Sequence, residues 1–260
     1  MAAAQTKEQR QRDVLVILKE NGTTSVAELG SRLGVAEMTI RRDLEALEAD
    51  GALKRYHGGA ELTFGSNYEP PLAVRERTNR GQKQAIAQQV ARLIDDGDTV
   101  IVDGGSTGLA VALALVDRHV TVCPLSLRVA WVFERSTTVN VLLPPGTVRH
   151  GELSISGADT GQFLGGHHFD HYVMTASGLS IKSGLTEWNV EDAAVKRDAL
   201  GASDNIIVAV DSSKYGTVRF VKLCAIDRVQ IVVTDTGLRD ADAAELEGAA
   251  QRVILARPET

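Results

Sequence analysis

Residues 34–60 read GVAEMTIRRDLEALEADGALKRYHGGA, which places an amphipathic segment directly before a short Gly-containing hairpin. The apolar side chains that recur at helical spacing are Val35, Ile40, Leu44 and Leu47. This spacing predicts a helix over residues 36–49 that ends at Asp50-Gly51 and buries one stripe. Residues 53–56 then alternate like a strand, and Gly58-Gly59 supplies the turn of a β-wing.

Two shorter helical segments precede this stretch. The first places its apolar residues at helical spacing and ends near Asn21-Gly22, a usual stop signal; these residues are Val14, Leu15, Ile17 and Leu18. Ser25 with Glu28 three residues later predicts a capping box that opens the second helix. Gly34 allows a tight turn before the third helix. Three helices followed by a wing indicate a winged helix-turn-helix domain over residues 1–62.

The third helix and the wing carry the candidate DNA-binding residues. A recognition helix presents its first turns to base edges, and Arg can bind guanine through two hydrogen bonds. Arg41 and Arg42 cannot point the same way, so we expect one near bases and the other near phosphate. The full candidate set is Glu37, Thr39, Arg41 and Arg42 on the helix, with Lys54, Arg55 and His57 on the wing as phosphate contacts. A protein-binding winged helix with a solvated basic face stays open as the alternative.

Charge alone does not decide between these alternatives. Residues 1–62 contain nine Lys and Arg against ten Asp and Glu, so any positive field must come from local clustering. The run MTIRRDLEALEADGALKRYHGGA resembles the DeoR-type winged helix-turn-helix of bacterial sugar-responsive repressors, and the resemblance covers about residues 8–62. Ala36 departs from it, because the family often has Ser or Thr at this helix N-cap.

The composition is that of a globular protein with room for a second, larger domain. The 260 residues are 43% hydrophobic and 24% charged, and the net charge is −6. The first 62 residues contribute −1 of this charge, which leaves −5 for residues 63–260. The sequence has neither an apolar run long enough to span a membrane nor a signal-peptide core, so we expect a cytoplasmic protein without a membrane role. Cys123 and Cys224 lie in apolar contexts and are expected to be reduced core residues.

Residues 63–74 are the predicted linker, polar and closed by Pro70-Pro71. A helix is predicted from Arg75 to Leu93. After it, short apolar runs alternate with helical segments to the end of the chain. This alternation predicts an α/β domain over residues 75–260 with a mostly parallel sheet flanked by helices.

Small polar residues follow several of the predicted strands, where ligands bind in open α/β sheets. The run DGGSTG at 103–108 opens a helix, and its glycines and hydroxyls suit an anion, although a purely structural turn is the alternative. Further polar segments lie at residues 177–179, 184–189 and 211–216. Lys196 follows on a helix, either as part of a cationic wall or as a solvated residue. Together these segments predict a crevice for a small, hydroxylated, anionic ligand.

The resemblance to the DeoR family extends to these segments, through DGGSTG, ASGLSIKSGLTEWNVEDAAVKR and VDSSKYG. It implies an effector domain similar in fold to ribose-phosphate isomerases and the CoA-transferase superfamily, which senses phosphorylated sugars or related metabolites. The effector contacts that it implies are Asp103, Gly105, Ser106, Thr107, Gly178, Gly184, Thr186, Glu191, Lys196, Asp211 and Lys214. Gly108 departs from a more usual hydroxyl residue. Cys123-Pro124 replaces a common Thr-Asn pair, whose polar contact is then either lost or supplied by Ser126.

We expect neither a metal nor a cofactor. His167, His168 and His171 form an H-H-x-x-H run, but it lies where a loop becomes a strand and has no cysteine nearby. Trp131 and Trp188 are expected to be packing residues, with Trp188 close enough to the crevice to cover a ligand.

The sequence therefore predicts a transcriptional regulator rather than an enzyme. It would act as a repressor that binds a double-stranded operator as a homodimer or homotetramer and responds to a phosphorylated sugar or similar metabolite. The alternative is a phosphosugar isomerase fused to a DNA-binding domain. Its acid–base groups would come from Asp103, Asp211, Glu191 and Lys214.

Overall fold

A computed structural model describes residues 6–49, 53–56, 58–61 and 69–258. The chain divides into two compact units, Met1–Val74 and Arg75–Thr260. The first half of the predicted linker (63–68), His57 and the predicted stop at Asp50-Gly51 lie outside the described residues. The boundary at residue 62 therefore stays a prediction.

The N-terminal unit is a three-helix domain with a small antiparallel sheet. Its elements are α1 (Lys7–Asn21), β1 (Thr23–Ser25), α2 (Val26–Leu33), α3 (Glu37–Ala49), β2 (Lys54–Tyr56) and β3 (Gly59–Glu61). The strands pair in the order β1-β3-β2, with β2 and β3 as the wing. Side chains from all three helices, including Leu18, Leu29 and Leu44, form one core. The predicted winged helix-turn-helix fold is confirmed.

The helix ends follow from local chemistry. Gly22 and Gly34 adopt positive φ angles of 75° and 65° after α1 and α2, as their predicted roles require. The Ser25 hydroxyl accepts a hydrogen bond from the Glu28 amide at 3.1 Å, which is one half of the predicted capping box. The Glu28 carboxylate instead pairs with Arg32 at 2.9 Å. The Ala36 carbonyl accepts from the Thr39 amide at 2.9 Å. Because the methyl side chain of Ala36 cannot accept a hydrogen bond, α3 begins without a side-chain cap at this position.

The segment after Pro71 corrects one prediction. In place of a single helix from Arg75 to Leu93, the structure has α4 (Leu72–Arg77) and α5 (Arg80–Ala91). Asn79 separates them in the left-handed region, with φ at 54°. The buried Lys83 ammonium donates to the carbonyl oxygens of Arg75 and Thr78, at 2.7 Å in the second case. The left-handed Asn79 changes the direction of the backbone, so α4 ends before α5 begins. The Lys83 ammonium then binds carbonyl oxygens that the end of α4 leaves without an intrahelical partner.

The larger unit is built on a seven-stranded parallel sheet, as predicted. Its strand order is β15-β14-β12-β9-β4-β5-β6. The strands are β4 (Thr99–Val102), β5 (Thr121–Pro124), β6 (Asn140–Val141), β9 (Phe169–Met174), β12 (Ser203–Ala209), β14 (Ile231–Asp235) and β15 (Val253–Ala256). The remaining strands are β7 (Thr147–Val148), β8 (Ile155–Ser156), β10 (Gly178–Ser180), β11 (Gly184–Glu187) and β13 (Val221–Cys224).

Helices cover both faces of this sheet. They are α6 (Gly105–Leu115), α7 (Leu127–Val132), α8 (Ala158–Gly165), α9 (Val190–Gly201) and α10 (Asp240–Ala249). One core contains Ile101 with side chains of α9 and α10, and the other contains Val100 and Val102 with side chains of α5 and α6. Neighbouring residues of β4 thus enter opposite cores, which is the period-2 alternation of a strand. The α/β fold class is confirmed.

Two short sheets were not predicted from the sequence. β10, β11 and β13 form an antiparallel sheet, and β7 pairs with β8. Trp131 is also not the packing residue that we predicted, because 73% of it is exposed on α7. Cys123 is fully buried and Cys224 half-buried, and burial raises the pKa of the two thiols to about 12 and about 11. No helix in the described part of the chain is both long and apolar enough to cross a bilayer.

Candidate functional site

The outer face of α3 carries polar side chains in its first two turns. Glu37, Arg41 and Arg42 are exposed and Thr39 is half-buried, while Ile40 packs in the core. Arg41 pairs with Glu37 one turn earlier, at 3.3 Å between Nη2 and Oε2. Arg42 has no ion-pair partner among the residues that the structure describes. The face is therefore polar and accessible, as DNA binding requires.

The wing presents its two basic residues differently. Lys54 is exposed on β2. Arg55 instead pairs with α3, at 2.6 Å from its Nε to Oε2 of Glu48 and 3.0 Å from its Nη1 to Oε1 of Glu45. The hydrogen bond from the Arg55 amide, followed by that from its guanidinium, lowers the pKa of Glu48. These two pairs were not predicted from the sequence, and DNA contact by Arg55 stays a prediction.

In the larger unit, the loop after β4 is held by a buried carboxylate. Asp103 Oδ1 accepts from the Gly104 amide at 2.8 Å. Asp103 Oδ2 accepts from both the amide and the hydroxyl of Thr175, each at 2.9 Å. Burial raises the pKa of Asp103, against the opposing effect of the Lys196 ammonium. Asp103 therefore fixes the start of α6 relative to the end of β9.

The N-terminus of α6 has the properties of an anion site. Its N-cap is Gly104, which has no side chain to satisfy the first amides, and Gly105 has a φ of 77°. Ser106 and Thr107 complete the first turn and are largely buried. An Arg75 nitrogen lies 3.4 Å from the point where a side chain at Gly105 would begin. The Arg75 guanidinium also pairs with the Glu152 carboxylate. The helix dipole, the amides and a paired guanidinium thus meet at one place.

A buried ion network lies beside this loop. Lys196 Nζ is 2.9 Å from Asp103 Oδ2 and 2.5 Å from Glu187 Oε2, and it donates to the Thr175 carbonyl at 3.0 Å. All three charged side chains are at most 8% exposed. Lys196 is therefore not the solvated residue that the sequence left open. Burial lowers its pKa, but the two carboxylates outweigh that effect and raise the pKa of Lys196 overall.

Glu187 is the functional candidate that the sequence did not reveal. Its second oxygen accepts from the Ser177 hydroxyl and, at 2.8 Å, from the Trp188 amide. Although burial alone would raise it, the pKa of Glu187 is lowered by Lys196 and these donors. Glu187 ends β11, which is why it reaches Lys196 one helix later. In the sequence, Glu187 lies between Thr186 and Trp188 and belongs to no motif whose spacing would indicate a functional role.

The predicted effector residues do not all converge. Glu191 is exposed in the first turn of α9 and lines an open cavity of about 320 Å³ with Asp198 and Thr147, apart from the Lys196 network. At Gly184, an added Cβ would lie 2.1 Å from the Cys224 carbonyl oxygen, so this glycine allows β11 to pack on β13. At Gly178, a Cβ would lie 2.6 Å from the Thr186 hydroxyl. These two glycines have packing roles.

Two further segments supply polar groups. Asp211 Oδ1 accepts from Asn79 Nδ2 at 2.8 Å and from the Ser213 amide at 3.2 Å. Lys214 follows in a 3₁₀ turn, and burial lowers its pKa although Asp211 opposes this. The Arg219 guanidinium lies 3.9 Å from the centre of the Trp188 ring, and burial lowers the pKa of Arg219. Trp188 thus supports a cation near the network.

The three histidines point to separate partners. His167 contacts the Phe163 carbonyl at 2.7 Å, His168 contacts Asp204 and His171 contacts Asp98. Within the described residues, no three potential metal-binding side chains come together.

Comparison with known proteins identifies the family. The family profile of the DeoR-like helix-turn-helix domain matches residues 10–63, and that of the DeoR C-terminal sensor domain matches residues 78–236. The chain belongs to the DeoR family. The predicted DNA-binding transcriptional regulator is confirmed, and the isomerase alternative is not favoured, because the family consists of transcriptional regulators.

Individual relatives cover nearly the whole chain of this DeoR-family regulator. An uncharacterized HTH-type transcriptional regulator of Bacillus subtilis, YulB, is 31% identical over 92% of this chain and 93% of its own length. The glycerol-3-phosphate regulon repressor of Escherichia coli is 31% identical over 87% and 90%. A ribose 5-phosphate isomerase A structure from Methanocaldococcus jannaschii has a TM-score of 0.41 and 15% identity over 54% and 56%, which is too weak to support a functional argument.

Two departures from the DeoR pattern have local explanations. A Cβ at Gly108 would lie 2.0 Å from the Asp103 carbonyl oxygen, so this backbone excludes the usual hydroxyl residue. After Cys123-Pro124, the buried Ser126 lies against the loop after β4, with its Cβ 3.4 Å from the point where a side chain at Gly104 would begin. Ser126 is thus the polar residue that lies next to Cys123-Pro124, the pair that stands in place of Thr-Asn.

Proposed function

We propose that this DeoR-family regulator represses genes of carbohydrate metabolism and that a phosphorylated sugar or similar small anion controls its affinity for operator DNA. The observation that carries the proposal is the uncapped N-terminus of α6 beside Arg75. A phosphate accepts hydrogen bonds from successive amides, and the helix dipole adds favourable charge interaction. Relatives named as repressors of the glycerol-3-phosphate regulon and, putatively, of the aga operon support the class of effector.

In this proposal the effector residues have different roles. Gly105, Ser106 and Thr107 bind the phosphate through amides and hydroxyls, with Lys214 as a second cation. Asp103 and Lys196 spend their hydrogen bonds on each other and on Thr175, so they hold the loop in shape. Asp211 anchors the Lys214 turn and Asn79. The geometry gives least support to Glu191, Gly178, Gly184 and Thr186 as direct contacts.

The DNA-binding part of the proposal rests on α3 in the major groove. Arg41 and Arg42 bind there, Glu37 and Thr39 contribute polar contacts in its first turn, and Lys54 binds phosphate from the wing. Two or four copies bind paired half-sites, because one winged helix covers only one half-site. Control by effector requires that it bind the DNA-competent and DNA-free arrangements with different affinity.

The effector experiment is a DNA-binding titration. A duplex is selected from a random library for binding to the full chain, and its fluorescence anisotropy is followed while sugar phosphates are added. At least one compound should change the affinity, whereas its unphosphorylated counterpart and inorganic phosphate should not match its effect. Lys214→Gln should weaken the response without changing DNA affinity in the absence of effector. Indifference to the whole panel would contradict the effector assignment.

The DNA experiment uses charge reversal on α3. Arg41→Glu with Arg42→Glu should weaken retention of the selected duplex by about 100-fold, since two cationic contacts become repulsive. Arg239→Glu makes a like change of charge per residue at the exposed N-cap of α10 and should leave retention unchanged. Sedimentation of the chain with and without the duplex tests the proposed dimer or tetramer, and a monomer in both samples would contradict it.

A further inference from the structure

The guanidinium of the wing residue Arg55 contacts α3, although 37% of its side chain stays exposed. Successive side chains of a strand point to opposite faces, so Lys54 and Tyr56 share one face of β2 and Arg55 lies on the other. On that face its guanidinium contacts the last turns of α3, at Glu45 and Glu48. Because they are neighbours on β2, the side chains of Lys54 and Arg55 therefore point to opposite faces of the strand.

Glu48 makes the more extensive contact of the two acids. One of its oxygens accepts from the Arg55 backbone amide at 2.9 Å, and the other accepts from Nε at 2.6 Å. Glu45 contributes one contact to Nη1 at 3.0 Å and is more exposed, with 58% of its side chain accessible against 35% for Glu48. Glu48 thus binds both the main chain and the side chain of one wing residue.

We propose that Glu48 is a positioning residue for DNA recognition, which fixes the wing on the recognition helix by binding Arg55 at two points. In this role Arg55 is a structural partner of Glu48, and Lys54 is the wing cation that contacts phosphate. A contact to both backbone and guanidinium defines the angle and the register of β2 relative to α3. The inference rests on DNA binding by the N-terminal domain and does not depend on the proposed effector.

The competing possibility is that Arg55 leaves Glu48 to bind a phosphate when DNA arrives. The two possibilities predict opposite changes in DNA affinity when Glu48 is removed. If Glu48 competes with DNA for Arg55, its removal strengthens binding. If Glu48 positions the wing, its removal weakens binding, although a negative charge near DNA has been lost.

The experiment compares Glu48→Ala with Glu45→Ala in the full chain, on a duplex selected for the wild type. Both variants remove one negative charge and one carboxylate partner of the Arg55 guanidinium, so Glu45→Ala measures the effect of these two losses without loss of the contact to the Arg55 backbone amide. Glu48→Ala should bind about tenfold more weakly than Glu45→Ala, since it also loses a bidentate, charge-assisted contact. Equal or tighter binding by Glu48→Ala would overturn the proposal.

The Arg55 variants provide an independent readout. Arg55→Lys keeps the charge but cannot reproduce the fork, so it should weaken binding as much as Arg55→Ala. Both should keep the wild-type dependence of affinity on salt, whereas loss of a phosphate contact would reduce the slope by about 0.9. Retained affinity in Arg55→Lys together with a reduced slope in Arg55→Ala would refute the positioning role.

Hydrogen exchange separates positioning from general unfolding. Exchange in residues 53–61 should accelerate in Glu48→Ala and stay unchanged in Glu45→Ala, while residues 14–33 keep their protection in both. The double variant Glu48→Ala/Arg55→Ala should bind no more weakly than Arg55→Ala alone, because both changes remove one interaction. Additive losses would show that the two residues act separately. Failure of the wild type to select any duplex would instead overturn DNA binding itself.

Discussion

The DNA-binding face of α3 with the wing and the network beside the α6 loop use charged side chains in opposite ways. On α3 and the wing, Arg41 and Arg55 pair with carboxylates that are at least one-third exposed. Beside the α6 loop, Asp103, Glu187 and Lys196 are paired where solvent hardly reaches. Exposed pairs contribute little free energy and exchange partners easily, which suits a surface that must accept DNA. Buried pairs tolerate no loss of a partner, which suits a site that must keep its shape.

The largest effect should follow from removing the cation of the buried network. Lys196→Met leaves two carboxylates buried without their counter-ion, so the free energy of unfolding of the full chain should fall by about 3–5 kcal/mol. Urea denaturation at pH 7.5 measures this. Lys182→Met, at an exposed position in the same unit, should change stability by less than about 0.5 kcal/mol. Similar losses in both variants would show that the buried network stabilises the fold no more than an exposed lysine does.

A second buried lysine should make stability depend on alkaline pH. Burial lowers the pKa of Lys83 from 10.5 to about 8, so between these values the unfolded chain holds the proton and the folded chain has released it. Raising the pH through this window therefore stabilises the folded state, by up to about 3 kcal/mol from Lys83. The difference in unfolding free energy between wild type and Lys83→Met, measured from pH 7.5 to 10, should shift in favour of the wild type. A difference that stays constant with pH would contradict the assignment.

A smaller effect should come from the glycine that packs against the Asp103 carbonyl. Gly108→Ala forces a Cβ into backbone and should cost about 2 kcal/mol, in the range for overpacked sites. Gly201→Ala is the matched control, because nothing lies within 4 Å of a Cβ at that helical position. Thermal unfolding of both variants tests the pair. A neutral Gly108→Ala would mean that the loop moves freely, against its role as a rigid site.

The smallest effect should come from a substitution at the start of α3, in the N-terminal unit. Ala36→Ser adds a side-chain acceptor at the start of α3 and should stabilise that helix by about 1 kcal/mol, which slows amide exchange in its first turn about fivefold. Exchange of residues 37–49 in the full chain measures this, with α5 as the internal reference. Unchanged exchange would show that Ala36 is not the N-cap.

The parts of the fold that the sequence predicted are those decided by local chemistry. The stripe containing Ile40 and Leu44 gave α3, and apolar runs followed by polar turns gave the strands of the parallel sheet. The break at Asn79 was not predictable, since a single left-handed residue leaves no periodic signal. The strands β10, β11 and β13 are three or four residues long, too short for alternation to be read.

The candidate site was predictable where one segment carries it and not where several segments meet. The run at 103–108 contains all of the proposed anion loop, so this proposal could be made from the sequence alone. The network around Lys196 instead joins the ends of β4, β9 and β11 with α9, and only their packing brings Glu187 to the lysine. The pair of Arg55 with Glu48 was not predictable for the same reason, because the direction of each side chain on β2 decides which cation of the wing meets α3.

The two tryptophans occupy contrasting environments, and this has a practical consequence. Trp131 stands in water on α7, while Trp188 is half-buried beneath the Arg219 guanidinium next to the ion network. Exchanging Trp131 for Phe would leave a single indole in the chain, stacked on a cation of the sensor. A change in its emission on addition of sugar phosphates would then test the proposed ligand site, without dye or label.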